Sequence, residues 1–188
     1  MKVALIGSHG VGKTTLCFEL AAALKRRNID LEMVREVARR CPLPINQETT
    51  VAAQEWILHT QVAWEIEAAA SSDTVLSDRS VLDNYCYLVH SAGTIRAWEV
   101  FLDHWMPTYD LLVHVPISER PSFDGVRAVD PNFQETIELL LEGMVAARGL
   151  KPLRLAADSR NDWCDTIVDF LLPSLEPTLP LFSEKEGT

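Results

Sequence analysis

The sequence lacks the features that mark several large classes of protein. It has no apolar run approaching the roughly 18 residues that a membrane-spanning helix needs, so we expect no membrane segment. The four cysteines are widely scattered, and the five histidines form no HxxxH or HExxH pattern. We therefore expect free, buried thiols and no metal centre built from cysteine or histidine.

Positive charge is also scarce. The chain carries 17 Lys and Arg against 27 Asp and Glu, which gives a formal net charge of -10 at pH 7. Such a surface repels a phosphate backbone, so general binding of DNA or RNA is disfavoured. Because a local basic pocket can still hold a small anion, the charge balance favours a small-molecule ligand.

The short apolar run at the N-terminus, VALI, is too short for a signal peptide and predicts a buried strand. With no membrane segment expected either, we interpret the protein as cytoplasmic. Its 188 residues suit one domain with a small lid or tail added.

Short apolar runs alternate with helical patterns along the chain, which is typical of an α/β fold with a parallel sheet and crossover helices. Near-continuous hydrophobicity favours strands that are buried on both faces. Five runs have this character, at Val3–Ile6, Leu31–Val34, Thr74–Ser77, Leu111–Val115 and Pro152–Leu155.

The segments between these runs predict helices. They cover Thr14–Arg27, Thr49–Ala70, Val81–His90, Arg96–Trp105, Phe133–Ala147 with Asn132 as its cap, and a last helix from Asn161 or Asp162 to Leu172. In the second of them, an apolar stripe is predicted at Val51, Leu58, Val62, Ile66 and Ala69. We assign residues 1–172 to the domain and 173–188, rich in Pro, Ser and Glu, to a loosely held tail.

The stretch GSHGVGKT, from Gly7 to Thr14, matches the phosphate-binding pattern GxxxxGK[ST] at every fixed position. Its glycines let successive amides converge on phosphate oxygens, and the helix that begins there adds its dipole. We expect Lys13 to bridge the terminal phosphates and Thr14 to coordinate Mg²⁺. The predicted ATP-binding residues of the loop are Gly7, Ser8, His9, Gly10, Val11, Gly12, Lys13, Thr14 and Thr15.

This loop follows a strand and opens a helix, which predicts a P-loop NTPase of three-layer α/β/α architecture. The third predicted strand ends at Asp78, and ligands bind at the carboxyl ends of such strands. Asp78 is therefore predicted to hold the water shell of Mg²⁺ opposite Thr14, although a cap of the next helix would also explain it. Its neighbour Arg79 is predicted to contact an anionic ligand.

The run REVARR follows the second predicted strand and places Glu36 where an acceptor hydroxyl would lie. A carboxylate there can orient or deprotonate that hydroxyl, with Arg39 beside it as a substrate-binding residue. The alternative is a solvated helix start, in which Glu36 pairs with Arg39 and Arg40.

The long connection at 116–131 predicts a lid. We expect Arg120 and Arg127 to cover the transferring phosphate, with Arg127 as a catalytic residue and Asp124 as a substrate-binding one. A plain surface loop would carry such residues as well.

Four blocks, GSHGVGKTTL, REVAR, SDRSVLDNYCY and FDGVRAVDPNFQ, carry a resemblance to a known group. The sequence resembles the P-loop AAA-type ATPases and kinases that include the nicotinamide-riboside kinase domain of bacterial NAD regulators, and more loosely the thymidylate kinases. This resemblance implies that Glu36 is an acceptor-side carboxylate, Asp78 a metal or substrate aspartate, Arg127 a lid arginine and Arg160 a residue near the adenine.

Three functions remain open from the sequence. The first is ATP-dependent phosphoryl transfer, with Mg²⁺, to a nucleoside, nucleotide or riboside. The second is a nucleotide-hydrolysing ATPase or GTPase switch that acts on a protein partner, although no NKxD or TKxD run is present to recognise guanine. The third is a nucleotide-binding module without turnover. A homodimer is left open.

Overall fold

A computed structural model describes residues 1–45, 49–118 and 130–175. Within them, five strands form one sheet in which every neighbouring pair is parallel. The strands are β1 (Lys2–Ile6), β2 (Glu32–Val34), β3 (Val75–Asp78), β4 (Leu111–His114) and β5 (Leu153–Arg154). Their order is β2-β3-β1-β4-β5. Strand β1 is therefore central, with β3 and β2 on one side and β4 and β5 on the other.

Six α-helices connect and cover the sheet in the described part of the chain. They are α1 (Lys13–Arg26), α2 (Val51–Ser71), α3 (Val81–Ala92), α4 (Arg96–Trp105), α5 (Pro131–Ala147) and α6 (Trp163–Leu175). Short 3₁₀ helices lie at Val37–Arg40, Met106–Thr108 and Arg160–Asp162. None of the helices described combines the length and hydropathy needed to cross a bilayer.

The two faces of the sheet pack against different helices. Side chains alternate along a strand, so Val3 and Leu5 of β1 join one core with α1 and α6. Ala4 and Ile6 point the other way, into a second core formed with α2, α3, α4 and α5. The result is the predicted α/β/α arrangement of three layers.

Three details of the helix prediction are wrong. Asp130, rather than Asn132, caps α5: its side chain accepts a hydrogen bond from the Asn132 amide, and Pro131 takes the first turn, where its missing N–H costs nothing. The last helix continues through Pro173 to Leu175, because Leu172 and Leu175 pack against the core. The first residues of the predicted tail are therefore helical, and 176–188 lie outside the described residues.

The predicted apolar stripe of α2 is the third error. Val51 and Ile66 are exposed, whereas the buried face carries Gln54, Gln61 and Glu65 among its apolar residues. Hydrophobicity alone predicts the wrong buried face for α2, because hydrogen bonds inside the protein satisfy these three polar side chains.

Candidate active site

The phosphate loop connects β1 to α1 and requires glycine at both of its ends. Gly7 has φ 142°, and a Cβ there would lie 2.5 Å from the carbonyl oxygen of Val115. Gly12 has φ 96° and immediately precedes α1, with the Arg160 guanidinium 3.1 Å from where its Cβ would be. Any other residue would be strained at these positions, so the loop conformation follows from the sequence.

Lys13 lies buried inside this loop. Its Nζ donates hydrogen bonds to the carbonyl oxygens of Gly7, at 2.6 Å, and of Ser8. Burial, and after it the nearby charge of Arg79, lowers the pKa of Lys13 to about 7. The ammonium group is thus held where an anion entering the loop would stabilise its charged form.

Thr14 and Asp78 provide oxygens of the kind that Mg²⁺ prefers. The Thr14 hydroxyl donates to Asp78 Oδ2 at 2.6 Å, and Asp78 Oδ1 is buried without a hydrogen-bond partner among the described residues. Burial raises the pKa of Asp78 above its usual range, so a cation would stabilise its charged form. These two residues therefore fit the metal site that the sequence predicts.

The cap of α3 is formed by other residues than Asp78. Ser80 accepts hydrogen bonds from the Leu82 and Asp83 amides, and Asp83 Oδ2 accepts one from the Ser80 amide. Asp83 Oδ1 also accepts a hydrogen bond from the Gly7 amide at 2.9 Å. Asp83 thus joins the start of α3 to the phosphate loop, a role that its position on a helix start did not reveal.

Glu36 and Arg79 form a buried ion pair beside this site. Arg79 donates from Nε at 3.0 Å and from Nη2 at 2.9 Å to Glu36 Oε1, while Arg39 donates from Nε to Glu36 Oε2 at 2.7 Å. The pair of Glu36 with Arg39 that the alternative predicts is present, but Glu36 is 7% exposed and Arg79 is 4% exposed, so the carboxylate is buried and not solvated. Arg79 thus holds the Glu36 carboxylate, and its contact with an anionic ligand stays a prediction.

Arg79 adopts a backbone conformation that is rare for a side chain other than glycine, with φ 95°. Its carbonyl oxygen accepts hydrogen bonds from the Ser77 hydroxyl at 2.7 Å and from Gln61 Nε2 at 3.3 Å. Gln61 is fully buried on α2 and also accepts a hydrogen bond from Asn84. These bonds hold the strained peptide that directs the guanidinium towards Glu36.

Helix α5 holds the phosphate loop from the opposite side. Gln134 Nε2 donates to the His9 carbonyl at 2.7 Å, and the Ser8 hydroxyl donates to the Gln134 carbonyl at 2.8 Å. Glu138 accepts from the Ser8 amide at 3.0 Å and from His114 at 2.5 Å. His114 is buried, and Gln134 and Glu138 carried no signal in the sequence.

Three cavities surround the site. The first, of about 470 Å³, lies between α1 and α6 and is lined by Gly12, Thr15, Arg160 and Trp163, among others. The second is lined by His9, Glu36, Gln54, Arg79 and Tyr87, among others. The third, of about 280 Å³, is lined by Thr14, Phe18, Arg35, Glu36 and Asp78, among others.

The structure thus brings together the predicted loop residues, Glu36, Arg39, Asp78, Arg79 and Arg160. Arg160 lies beside Gly12 at the end of the loop, with its Cζ 5.9 Å from the centroid of the Trp163 ring. The predicted lid residues Arg120, Asp124 and Arg127 lie outside the described residues.

Two solved structures share this fold. Deoxyadenosine kinase from M. mycoides with bound dATP has a TM-score of 0.63 and 16% identity, over 91% of this chain and 98% of that chain. The same kinase with the products dCMP and a flexible dCDP bound has a TM-score of 0.61 and 16% identity, over 93% of this chain and 100% of that chain. The predicted fold class, a P-loop NTPase with a five-stranded parallel sheet, is confirmed.

Sequence comparison identifies the family. No curated protein matches the chain significantly. The family model of the AAA domain matches residues 2–162, which include the phosphate loop, Glu36, Asp78 and Arg160. Because this match covers most of the chain, the protein belongs to the AAA domain family.

Proposed function

We propose that the protein is an ATP-dependent kinase that uses Mg²⁺ to phosphorylate a small acceptor of the nucleoside, nucleotide or riboside class. The observation that carries this proposal is the Glu36 carboxylate, held by Arg79 and Arg39 next to Thr14 and Asp78 and lining two cavities. A nucleotide switch needs only water at this position, whereas a carboxylate fixed between cavities suits an acceptor molecule.

In this proposal, phosphate binding, metal binding and proton transfer belong to different residues. Lys13 and the amides of the loop bind the phosphates, and Thr14 and Asp78 hold Mg²⁺, which would neutralise charge on the phosphate oxygens. Glu36 orients the acceptor hydroxyl and accepts its proton, while Arg79 and Arg39 keep the carboxylate in place. Phosphoryl transfer depends mainly on such positioning and charge stabilisation.

The cavity between α1 and α6 suits the base of the nucleotide. It adjoins Gly12, where the loop ends, and it offers Arg160 and the Trp163 ring. The dATP and dCDP bound to the structural neighbours support a nucleotide ligand of this fold. For Arg127 and Asp124 we retain the predicted lid roles, and we retain the cytoplasmic location and leave a homodimer open.

The alternative is a nucleotide-hydrolysing regulator, which the AAA domain match also allows. Rates separate the two functions, because kinases turn over at about 1–100 s⁻¹ and unassisted P-loop switches at roughly 10⁻⁴ to 10⁻² s⁻¹.

The test is ADP release from ATP and Mg²⁺ in the presence of nucleosides, nucleoside monophosphates and ribosides. We expect at least one acceptor to raise the rate far above the water background, and Lys13→Ala to abolish that increase. Glu36→Gln should slow transfer by about 10² to 10⁴ yet bind ATP nearly as tightly as the wild type. If no acceptor accelerates ADP release, the regulator is the better description. An equal loss of ATP affinity in Glu36→Gln would contradict its acceptor-side role.

A further inference from the structure

The cavity between α1 and β2 is lined by apolar side chains and by arginines that have no role in the proposed reaction so far. Its apolar lining comes from Phe18, Met33 and Cys17, and its volume is about 280 Å³. Thr14, Glu36 and Asp78 line it too, so it opens directly on the reacting groups. Any molecule in this cavity would lie beside the site of phosphoryl transfer.

Three arginines, Arg35, Arg39 and Arg40, also line this cavity. Their concentration is unusual for a chain with a formal net charge of -10. Arg39 pairs with Glu36, but neither Arg35 nor Arg40 forms a salt bridge with another described residue. Arg35 and Arg40 therefore carry positive charge that no described carboxylate pairs, although Glu36 and Asp78 also line the cavity.

Aromatic rings hold both of these guanidinium groups. Arg35 Cζ lies 5.6 Å from the centroid of the Phe18 ring, and Arg40 Cζ lies 5.7 Å from that of Trp64. Such contacts reduce the conformational freedom of an arginine and leave its N–H groups available to an anion. Both arginines are solvent-exposed, so their N–H groups are accessible to an anion that enters the cavity.

A phosphomonoester fits these features best. Its oxygens match the planar fork of donors that a guanidinium presents, and two such groups suit its double negative charge. The apolar lining would contact the carbon atoms next to the phosphate. Glu36 and Asp78 carry negative charge towards the same space, which disfavours placing the phosphate against them and favours the Arg35 and Arg40 side.

We propose that this cavity is an anion subsite and that the acceptor already carries a phosphomonoester, bound by Arg35 and Arg40. This inference rests on the proposed kinase function and narrows its substrate class. The reacting hydroxyl is a separate group of the same molecule, close to Glu36. Its oxygen bonds to the γ-phosphorus while the bond to the bridging oxygen breaks, ADP leaves with that electron pair, and Glu36 takes the proton.

Binding can be measured without turnover. The phosphate loop is first saturated with a non-hydrolysable ATP analogue and Mg²⁺, so that a probe phosphate cannot bind there. Calorimetry then compares ribose with ribose 5-phosphate and nucleosides with their 5′-monophosphates. We expect at least one phosphorylated probe to bind about tenfold or more tightly than its unphosphorylated partner, with a preference that weakens as salt screens the charges.

The double variant Arg35→Gln/Arg40→Gln should lose this preference. Arg96→Gln/Lys151→Gln is the matched control, since it removes two exposed positive charges that do not line the cavity and should retain the preference. Equal binding of both members of every pair by the wild type would overturn the inference, as would a preference that survives in the double variant. Inorganic phosphate that binds as tightly as the organic esters would overturn it too.

These outcomes are separate from those of the proposed function. If no acceptor accelerates ADP release but the esters bind through Arg35 and Arg40, the subsite stands and the kinase function fails. If a free nucleoside is phosphorylated by the wild type and the double variant with the same KM, the kinase function stands and the subsite fails.

Discussion

Two of the buried carboxylates, Glu36 and Glu65, differ in their hydrogen-bond donors. Glu65 receives hydrogen bonds on Oε1 from Tyr109 and Gln61, and on Oε2 from Lys2 and Trp105. Glu36 receives its described hydrogen bonds from arginines alone. Both residues line a cavity, so burial beside a cavity does not distinguish them.

The two carboxylates differ in how their partners are covered and in where they lie relative to the sheet. The Lys2 ammonium that pairs with Glu65 is covered by the rings of Trp105 and Tyr109, at 4.5 Å and 4.1 Å, which closes the cluster. Glu65 thus ties α2 to the start of β1 and to the end of α4. Glu36 follows β2 at the carboxyl end of the sheet, where ligands of parallel α/β folds bind. A buried charge therefore indicates function only when its position and donors agree.

The largest expected effect separates these two residues. Glu36→Gln and Glu65→Gln each remove the partner of a buried cation, so both should lower the free energy of unfolding by about 3–5 kcal/mol. Only Glu36→Gln should also lower kcat, by about 10² to 10⁴, because it removes the group that handles the acceptor proton. Denaturant unfolding and turnover should be measured at a temperature where both variants remain folded. A comparable loss of kcat in Glu65→Gln would break the distinction.

Two buried glutamines give a second contrast. Gln61 donates to the Arg79 carbonyl and Gln134 to the His9 carbonyl, so each supports a different side of the site. Gln61→Leu should lower kcat about tenfold, an effect of about 1.4 kcal/mol, with ATP affinity little changed. Gln134→Leu should weaken ATP binding by a similar factor instead.

Both glutamine variants should also lose about 1–3 kcal/mol of stability, because each leaves a buried carbonyl with fewer donors. Stability therefore cannot separate them, and the division between kcat and ATP affinity decides. Gln61→Glu keeps the shape of the side chain but not its amide donor, so it should fail to rescue kcat. Equal changes of kcat and of ATP affinity in the Leu variants of Gln61 and Gln134 would contradict this division.

The fold and part of the site were predictable because their signals are local. Strands buried on both faces read as continuous apolar runs, and the phosphate loop needs Gly7, Gly12, Lys13 and Thr14 at a fixed spacing. Asp78 was found because a carboxylate at the end of a buried parallel strand faces the ligand crevice.

The rest of the site depends on pairs that are distant in the chain. Asp83 forms a hydrogen bond with Gly7, and Gln134 and Glu138 form hydrogen bonds with the phosphate loop. The last two lie more than a hundred residues from the loop in the sequence, so no spacing rule predicts these contacts. The apolar stripe of α2 was misassigned for the same reason. Gln61 and Glu65 look like a polar face in sequence, and only their partners on other elements make their burial favourable.

The remaining expected effect concerns Lys13 and pH. Because the pKa of Lys13 is about 7 in the folded chain against 10.5 ordinarily, the unfolded chain binds one more proton between these values. The free energy of unfolding should therefore rise as the pH increases from about 7 towards 10.5. Lys13→Met should show less of this increase, which denaturant unfolding at pH 7, 8 and 9 can measure.

ATP should reverse this shift, since its phosphates stabilise the ammonium form. At pH 8 most Lys13 side chains are neutral before ATP binds, so binding should take up close to one proton, and affinity should fall up to tenfold per pH unit above 7. Calorimetry in buffers of different ionisation enthalpy measures this uptake, and Lys13→Met should abolish it. The same uptake in both proteins would assign the proton to another group. Uptake confined to the wild type would show that Lys13 gains its proton when ATP binds. The site at the carboxyl end of the sheet would then change its charge on binding, whereas Glu65 already has its charged partner, Lys2, in the folded chain.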